Sequence, residues 1–170
     1  MPTGGRIRAP FCSPRDHRPQ NSGCVYTVQS FHTGWTRRAQ GRTSSPLKLV
    51  EGSAEAIPID DRTIDTVVTT WTMGSIPAIE RALHEMRRVL KTGGRLLFVE
   101  HGRAPEPGVR WWQDHLTPVW KRFSGGCHLN RPIPELIQHA GYRIGYLDTG
   151  YMRPGPKPMT FMYEGSASPQ

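Results

Sequence analysis

Between Ile64 and Glu100 the chain runs from a β-branched segment through an amphipathic one to an unbroken apolar one, with almost no residues in between. Few folds accept that order. Residues 64–71 are rich in Val and Thr and nearly uncharged, which is strand composition. Residues 76–91 place Ile76, Ile79, Ala82, Leu83, Met86, Val89 and Leu90 on one helical face, with Glu80, His84, Arg87 and Arg88 elsewhere. Ser75 can cap this helix, Pro77 fits its first turn, and Gly93-Gly94 ends it. Within 95–100, Leu96-Leu97-Phe98-Val99 is continuously apolar. A sheet with one wet face asks for alternation, whereas a sheet covered on both faces asks for a continuous run. Strand, helix and strand with tight links form a βαβ unit with a right-handed crossover. The pattern predicts an open α/β domain.

The rest of the chain fits around that unit. Residues 47–50 form a short apolar strand ahead of it. Residues 109–123 read as a helix with Val109, Trp112, Leu116, Val119, Trp120 and Phe123 on one face and a kink at Pro118. Residues 133–140 are a short helix ended by Gly141. Two late strands, 142–151 and 159–164, flank the Pro/Gly segment 153–158. No apolar run reaches the roughly 18 residues of a membrane span, and the basic N-terminus lacks the apolar core of a secretory signal. Cys12, Cys24 and Cys127 sit at unrelated spacings, which argues against a disulfide framework and for a reducing cytoplasm.

Charge divides the chain. Of the net +8, residues 1–45 carry +6, from seven arginines and the single acid Asp16, so residues 46–170 are nearly neutral. Residues 1–45 also lack Lys and Leu and show no helical period. Their best strand candidate is 24–31, through Val25, Tyr26, Thr27 and Val28. This segment reads as a disordered arm, as sequence not native to the domain (a shifted frame or misassigned start), or as a nucleic-acid arm. Few aromatics are interleaved with its arginines, which weakens the nucleic-acid reading. The expected organisation is an arm at 1–45, a domain at 46–166 and a tail at 167–170.

Three stretches together carry a resemblance. They are Leu49-Val50-Glu51-Gly52-Ser53-Ala54-Glu55, Ile64-Asp65-Thr66-Val67-Val68, and Leu83-His84-Glu85-Met86-Arg87-Arg88-Val89-Leu90-Lys91-Thr92-Gly93-Gly94-Arg95-Leu96. They resemble the class I S-adenosylmethionine-dependent methyltransferases, in the small-molecule subgroup that includes quinone-biosynthesis enzymes. Downstream, Phe98-Val99-Glu100-His101, Trp112-Gln113, Pro118-Val119-Trp120-Lys121 and Gly126-Cys127-His128-Leu129-Asn130-Arg131 are similar to the methyltransferase-like thiol methyltransferases. The resemblance implies a Rossmann-like sheet ordered 3-2-1-4-5-7-6, mostly parallel with an antiparallel last strand. Residues 47–50 would be its third strand, 64–71 its fourth and 95–100 its fifth, with 142–151 and 159–164 its sixth and seventh. The first two strands, the Glu/Asp-x-Gly-x-Gly loop between them and the acid for the ribose hydroxyls are expected before Pro46, and no such motif is found there. The fourth strand would then be an exposed apolar edge, inviting self-association, with 24–31 the segment available to pair nearby.

The implied activity is methyl transfer from S-adenosyl-L-methionine to a small apolar acceptor, a thiol or a quinol- or phenol-like hydroxyl. Non-catalytic and nucleic-acid-binding readings are the alternatives. In open α/β sheets ligands lie at the carboxyl ends of the strands. There the resemblance places Gly52, Ser53, Ala54 and Glu55 against adenine, and Thr70 and Trp71 beside the methionine part. His101, ending the fifth strand, could orient or deprotonate the acceptor. Trp112, Gln113 and Trp120 would line an apolar acceptor site. The adjacent Cys127-His128 lacks a third ligand at metal-binding spacing, so no metal is expected. Without the glycine loop and ribose acid, several hydrogen bonds worth about 0.5–3 kcal/mol each are lost. Calorimetric titration of this chain with the cofactor should therefore show weak or undetectable binding, and micromolar affinity would contradict that expectation.

Overall fold

A computed structural model describes residues 25–29 and 47–170. Strands β1 (Val25–Gln29) and β2 (Leu47–Glu51) pair in parallel, Val25 opposite Leu47 and Gln29 opposite Glu51. The second sheet is built from β3 (Ile64–Thr70), β4 (Leu90–His101), β5 (Tyr142–Tyr151) and β6 (Phe161–Pro169), in the spatial order β3-β4-β6-β5. β3 and β4 are parallel, and β6 runs antiparallel to β4 and β5. This is the α/β arrangement implied for the fourth to seventh strands, antiparallel last strand included. Helices α1 (Ile79–Val89), α2 (Pro107–Phe123), α3 (Ile133–His139) and α4 (Lys157–Thr160) connect the strands. The segment around 24–31 supplies β1, which pairs with β2 and not with β3. Among the described residues β3 is an edge strand, and its Val68 is 63% exposed.

One face of the sheet carries the core. Leu96 and Phe98 of β4 meet Ala82, Leu83 and Met86 of α1 and Ile133 and Ile137 of α3, all buried. The predicted helical face at 76–91 is the buried face of α1. The helix begins at Ile79, however, and not at Ile76. Ile76 precedes Pro77, and a residue before proline avoids the helical region. Residues 72–76 instead form a turn in which the Thr72 carbonyl accepts the Ser75 and Ile76 N–H groups. Ser75 is therefore not the cap; the Glu55 carboxylate accepts the Ala78 N–H at 2.9 Å. At the other end the helix stops at Val89, before Gly93-Gly94, and runs straight into β4. Gly93 has φ +84 in the stretch where the β3–β4 register shifts. A Cβ on Gly94 would stand 3.1 Å from the Asp65 carbonyl oxygen.

Two further expectations are corrected. The apolar stripe predicted for 109–123 is largely outward: Trp112, Val119 and Phe123 are exposed, and the buried residues of α2 are Gln113 and Thr117. Helical periodicity locates an apolar stripe, but here a polar residue decides which face docks, through hydrogen bonds described below. The tail expected at 167–170 is mostly strand. β6 continues to Pro169, and Ala167 is buried between Leu96 and Ile144. Gly165, Ser166 and Ala167 have little strand propensity, and pairing on both sides overrides it.

Arg88 ties the chain after β2 to α1. Its guanidinium donates to the Ile57 and Ile59 carbonyls at 2.8 and 2.9 Å and pairs with Asp61 and Glu85. Glu85 also accepts the Ile57 N–H at 2.9 Å. The Arg88 hydrogen bond holds the Glu85 carboxyl below its usual range. A carboxyl lowered by folding stabilises above its unfolded value and loses that contribution as pH falls through the folded one. Arg88→Ala should cost about 2 kcal/mol, the scale for charged hydrogen bonds whose partners are left behind. Urea unfolding at neutral pH checks this, and the gap between variant and parent should narrow at pH values well below about 4.

Candidate active site at the carboxyl ends of β3 and β4

β3 and β4 end side by side, with Thr70 opposite Val99. The ladder closes on the Trp71 N–H, which donates to the Val99 carbonyl at 3.0 Å. Trp71 then takes φ +55, a left-handed conformation that a bulky aromatic residue adopts at a cost of about 1–3 kcal/mol. Something must hold it there, and Glu100 does. This fully buried carboxylate at the end of β4 accepts the Thr72 and Met73 N–H groups, both at 3.1 Å, and the Thr72 hydroxyl at 3.3 Å. Burial pushes its pKa up, and these hydrogen bonds oppose the rise. From the other side the buried Arg131 guanidinium donates to the Met73 carbonyl. The loop after β3 is thus pinned at consecutive backbone groups.

The pinned loop faces His101, which is 6% exposed. Its Nε2 lies 2.8 Å from the Sγ of Cys127, itself buried. Trp71 packs on the imidazole with ring centroids 5.6 Å apart and planes 30° from parallel. The Trp120 and Ser75 side chains lie near the Cys127 sulfur and partly offset the effect of burial on it. Burial raises the thiol, while burial and then the Arg131 charge lower the imidazole. The pair is consequently neutral rather than thiolate and imidazolium. Gly74 makes room for it: a Cβ there would meet Cε1 of His101 at 2.9 Å, Nε2 at 3.1 Å and Sγ of Cys127 at 3.3 Å.

The structure thus brings together three of the sequence-predicted residues, Trp71, His101 and Trp120, around a cysteine that was weighed only as a metal ligand. His128 turns elsewhere, its backbone N–H and Nδ1 both directed at the Gly74 carbonyl. Among the described residues no three His, Cys, Asp or Glu side chains group to hold a metal ion. Gln113 is buried in another role. Its Oε1 accepts the Ala104 N–H at 2.9 Å, and its Nε2 donates to the Gly102 and Pro158 carbonyls at 2.9 and 3.1 Å. It thereby docks α2 on the segment after β4. Trp112 is half-exposed and packs edge-on against Trp111.

Thr70 is exposed at the end of β3. After β2, Gly52, Ser53, Ala54 and Glu55 form a tight turn. The Ser53 hydroxyl accepts the Glu55 N–H at 3.1 Å, and the Ser53 carbonyl accepts the Ala56 N–H at 3.0 Å. Ser53 is exposed and keeps a lone pair and its own proton for other partners. A hollow of about 320 Å³ lies on the open sheet face, lined by Val68, Leu97, Val99 and Tyr146 among others. None of the sequence-predicted site residues borders it.

The open α/β sheet, with this strand order and an antiparallel last strand, has the Rossmann-like arrangement of solved methyltransferase structures. Residues 20–98 match the model of a family described as a methyltransferase domain. The match begins inside the basic segment and includes β1. The chain is 39% identical over 83 residues to the thiol S-methyltransferase TMT1B of Rattus norvegicus, covering 48% of this chain and 34% of that protein. It is 33% identical over 94 residues to the ubiquinone/menaquinone biosynthesis C-methyltransferase UbiE of Paracoccus denitrificans, covering 55% and 38%. The chain thus spans about a third of the length of these curated relatives. A SAM-dependent methyltransferase structure from Methanosarcina mazei superposes with TM-score 0.65 at 18% identity, over 86% of this chain and 82% of the other.

Gly74→Ala should push the imidazole and thiol apart. Overpacking of this kind costs about 1–3 kcal/mol, and the thermal unfolding midpoint should fall accordingly. Gly150→Ala, where nothing lies near the added carbon, is the control and should leave the midpoint nearly unchanged.

Proposed function

We propose that this chain carries the acceptor side of a methyltransferase site, transferring methyl from S-adenosyl-L-methionine to a small apolar thiol or quinol- or phenol-like hydroxyl. The observation that carries this reading is the convergence of Trp71, His101 and Trp120 at the carboxyl ends of β3 and β4. Ligands in open α/β sheets lie on that edge. The names of the relatives, thiol and quinone-pathway methyltransferases, support the same acceptor classes.

The residues present fit part of the cofactor. The exposed Ser53 hydroxyl and the Gly52–Glu55 turn offer hydrogen bonds suited to adenine. Thr70 and the half-exposed Trp71 offer a wall for the methionine part. When bound, a sulfonium supplies an electrophilic methyl group: the acceptor's lone pair forms the new bond while the carbon–sulfur bond breaks and its electrons return to sulfur. The protein's task is then to align the acceptor and keep water out. Trp71 and Trp120 supply apolar faces for that, and the buried His101 supplies a polar contact.

A radiolabelled-methyl assay at saturating cofactor, over a panel of thiols and phenols, tests the reading. Transfer to at least one apolar acceptor is expected, and His101→Ala should lower kcat/KM at least about tenfold, in the range seen when an oriented polar group is removed. No transfer to any acceptor would overturn the proposal.

A further inference from the structure

The reading above leaves open whether His101 takes a proton from the acceptor or gives a hydrogen bond to it. We propose that His101 donates its Nδ1–H to an acceptor bound as its anion, a thiolate or phenolate, and that Cys127 is the positioning residue that holds the ring proton on Nδ1.

The protons can be placed by elimination. The Cys127 thiol is buried, with His101 Nε2 at 2.8 Å and the Trp120 and Ser75 side chains nearby. An indole N–H only donates, so Trp120 offers the thiol proton no acceptor. The best acceptor for the thiol proton is the imidazole nitrogen against it, since a neutral ring must leave one nitrogen bare. If Nε2 is bare, the ring's own proton is on Nδ1. That atom is buried and has no hydrogen-bond partner among the described residues. A buried N–H left unmatched costs about 1–3 kcal/mol, and a catalytic role is one recognised reason for such an orphan.

The surrounding charge selects what binds. On β4 the neighbour is Glu100, whose oxygens are turned to the Thr72 and Met73 N–H groups. β6 brings Tyr163 opposite Glu100, its hydroxyl donating to the Arg103 carbonyl. The loop before α3 brings Cys127, His128 and Arg131, and the Arg131 charge disfavours a positive imidazole. A general base must become imidazolium, which both burial and Arg131 oppose. A donor to an anion needs no such change, and the nearby guanidinium favours the anion as well. The acceptor then loses its proton to solvent before methyl transfer, and no proton moves between protein and acceptor during it.

Imidazole nitrogen NMR on the full-length isotope-labelled chain, with His101 assigned through His101→Gln, reads the tautomer directly. It needs no catalysis, so it separates failure of this inference from failure of the methyltransferase reading. The expected result is a neutral Nδ1–H tautomer that Cys127→Ser preserves and Cys127→Ala converts to a mixture. Adding para-nitrothiophenolate should shift the Nδ1 resonance. In active preparations, the pH midpoint of kcat/KM should follow the acidity of each thiol used. An Nε2–H tautomer in the parent, a tautomer indifferent to Cys127→Ala, or no shift with the thiolate would overturn the proposal. So would one midpoint shared by all thiols near the ordinary histidine value of about 6.5.

Discussion

The site depends on one buried carboxylate. Glu100 has no exposed surface and accepts two backbone N–H groups and a hydroxyl from the first residues after β3. An unpaired buried charge would cost several kcal/mol; these three donors, with the positive Arg131 nearby, offset that. The consequence is geometric. Because Thr72 and Met73 are fixed, Trp71 is held at positive φ with its ring on His101, and Gly74 is held where only a missing side chain leaves room for the imidazole–thiol pair. The turn that Glu100 fixes thus sets the Trp71 ring against the imidazole and Gly74 beside the imidazole–thiol pair.

The same device recurs elsewhere in the molecule. Glu55 accepts the N–H ahead of α1, Arg88 and Glu85 hold the backbone at Ile57 and Ile59, and Gln113 holds the segment after β4. The apolar core sits on one face of the sheet, between β4, α1 and α3. At the edge where loops converge, positions are also set by side chains bonded to backbone. Hydrophobic burial is non-directional, whereas hydrogen bonds fix geometry. A site on such an edge would need the second kind of restraint more than the first.

The βαβ unit was legible because periodicity reports burial, and burial decides where α1, β3 and β4 form. Its boundaries were less so: the restriction that Pro77 places on Ile76 is local chemistry that outweighs the helical pattern by one turn. α2 misled for the opposite reason. Its strongest apolar stripe, Trp112, Val119 and Phe123, is exposed, and Gln113 chose the docked face through partners nine, eleven and forty-five residues away. Within the site, His101 and Trp71 could be found from their place at strand ends. Cys127 could not be paired with His101 from spacing, since 26 residues and a whole helix separate them. Glu100 and Arg131 carry no local signal either, because what marks them is burial with backbone partners, a property of the folded chain.

Methyl transfer from a sulfonium makes few acid–base demands, because the leaving group departs neutral. The charge distribution at this edge matches that. The two buried charges nearest the loop, Glu100 and Arg131, are turned toward backbone N–H and carbonyl groups. What remains facing the cluster is aromatic surface, a neutral thiol and a neutral imidazole. On the proposed reading, such a surface would discriminate acceptors by shape and by their readiness to bind as anions rather than by supplying a base. An acidic thiol or phenol would therefore gain more from His101 than an alkyl alcohol of the same size. The alcohol would have to give up its proton without help from a ring whose Nε2 is already engaged by Cys127.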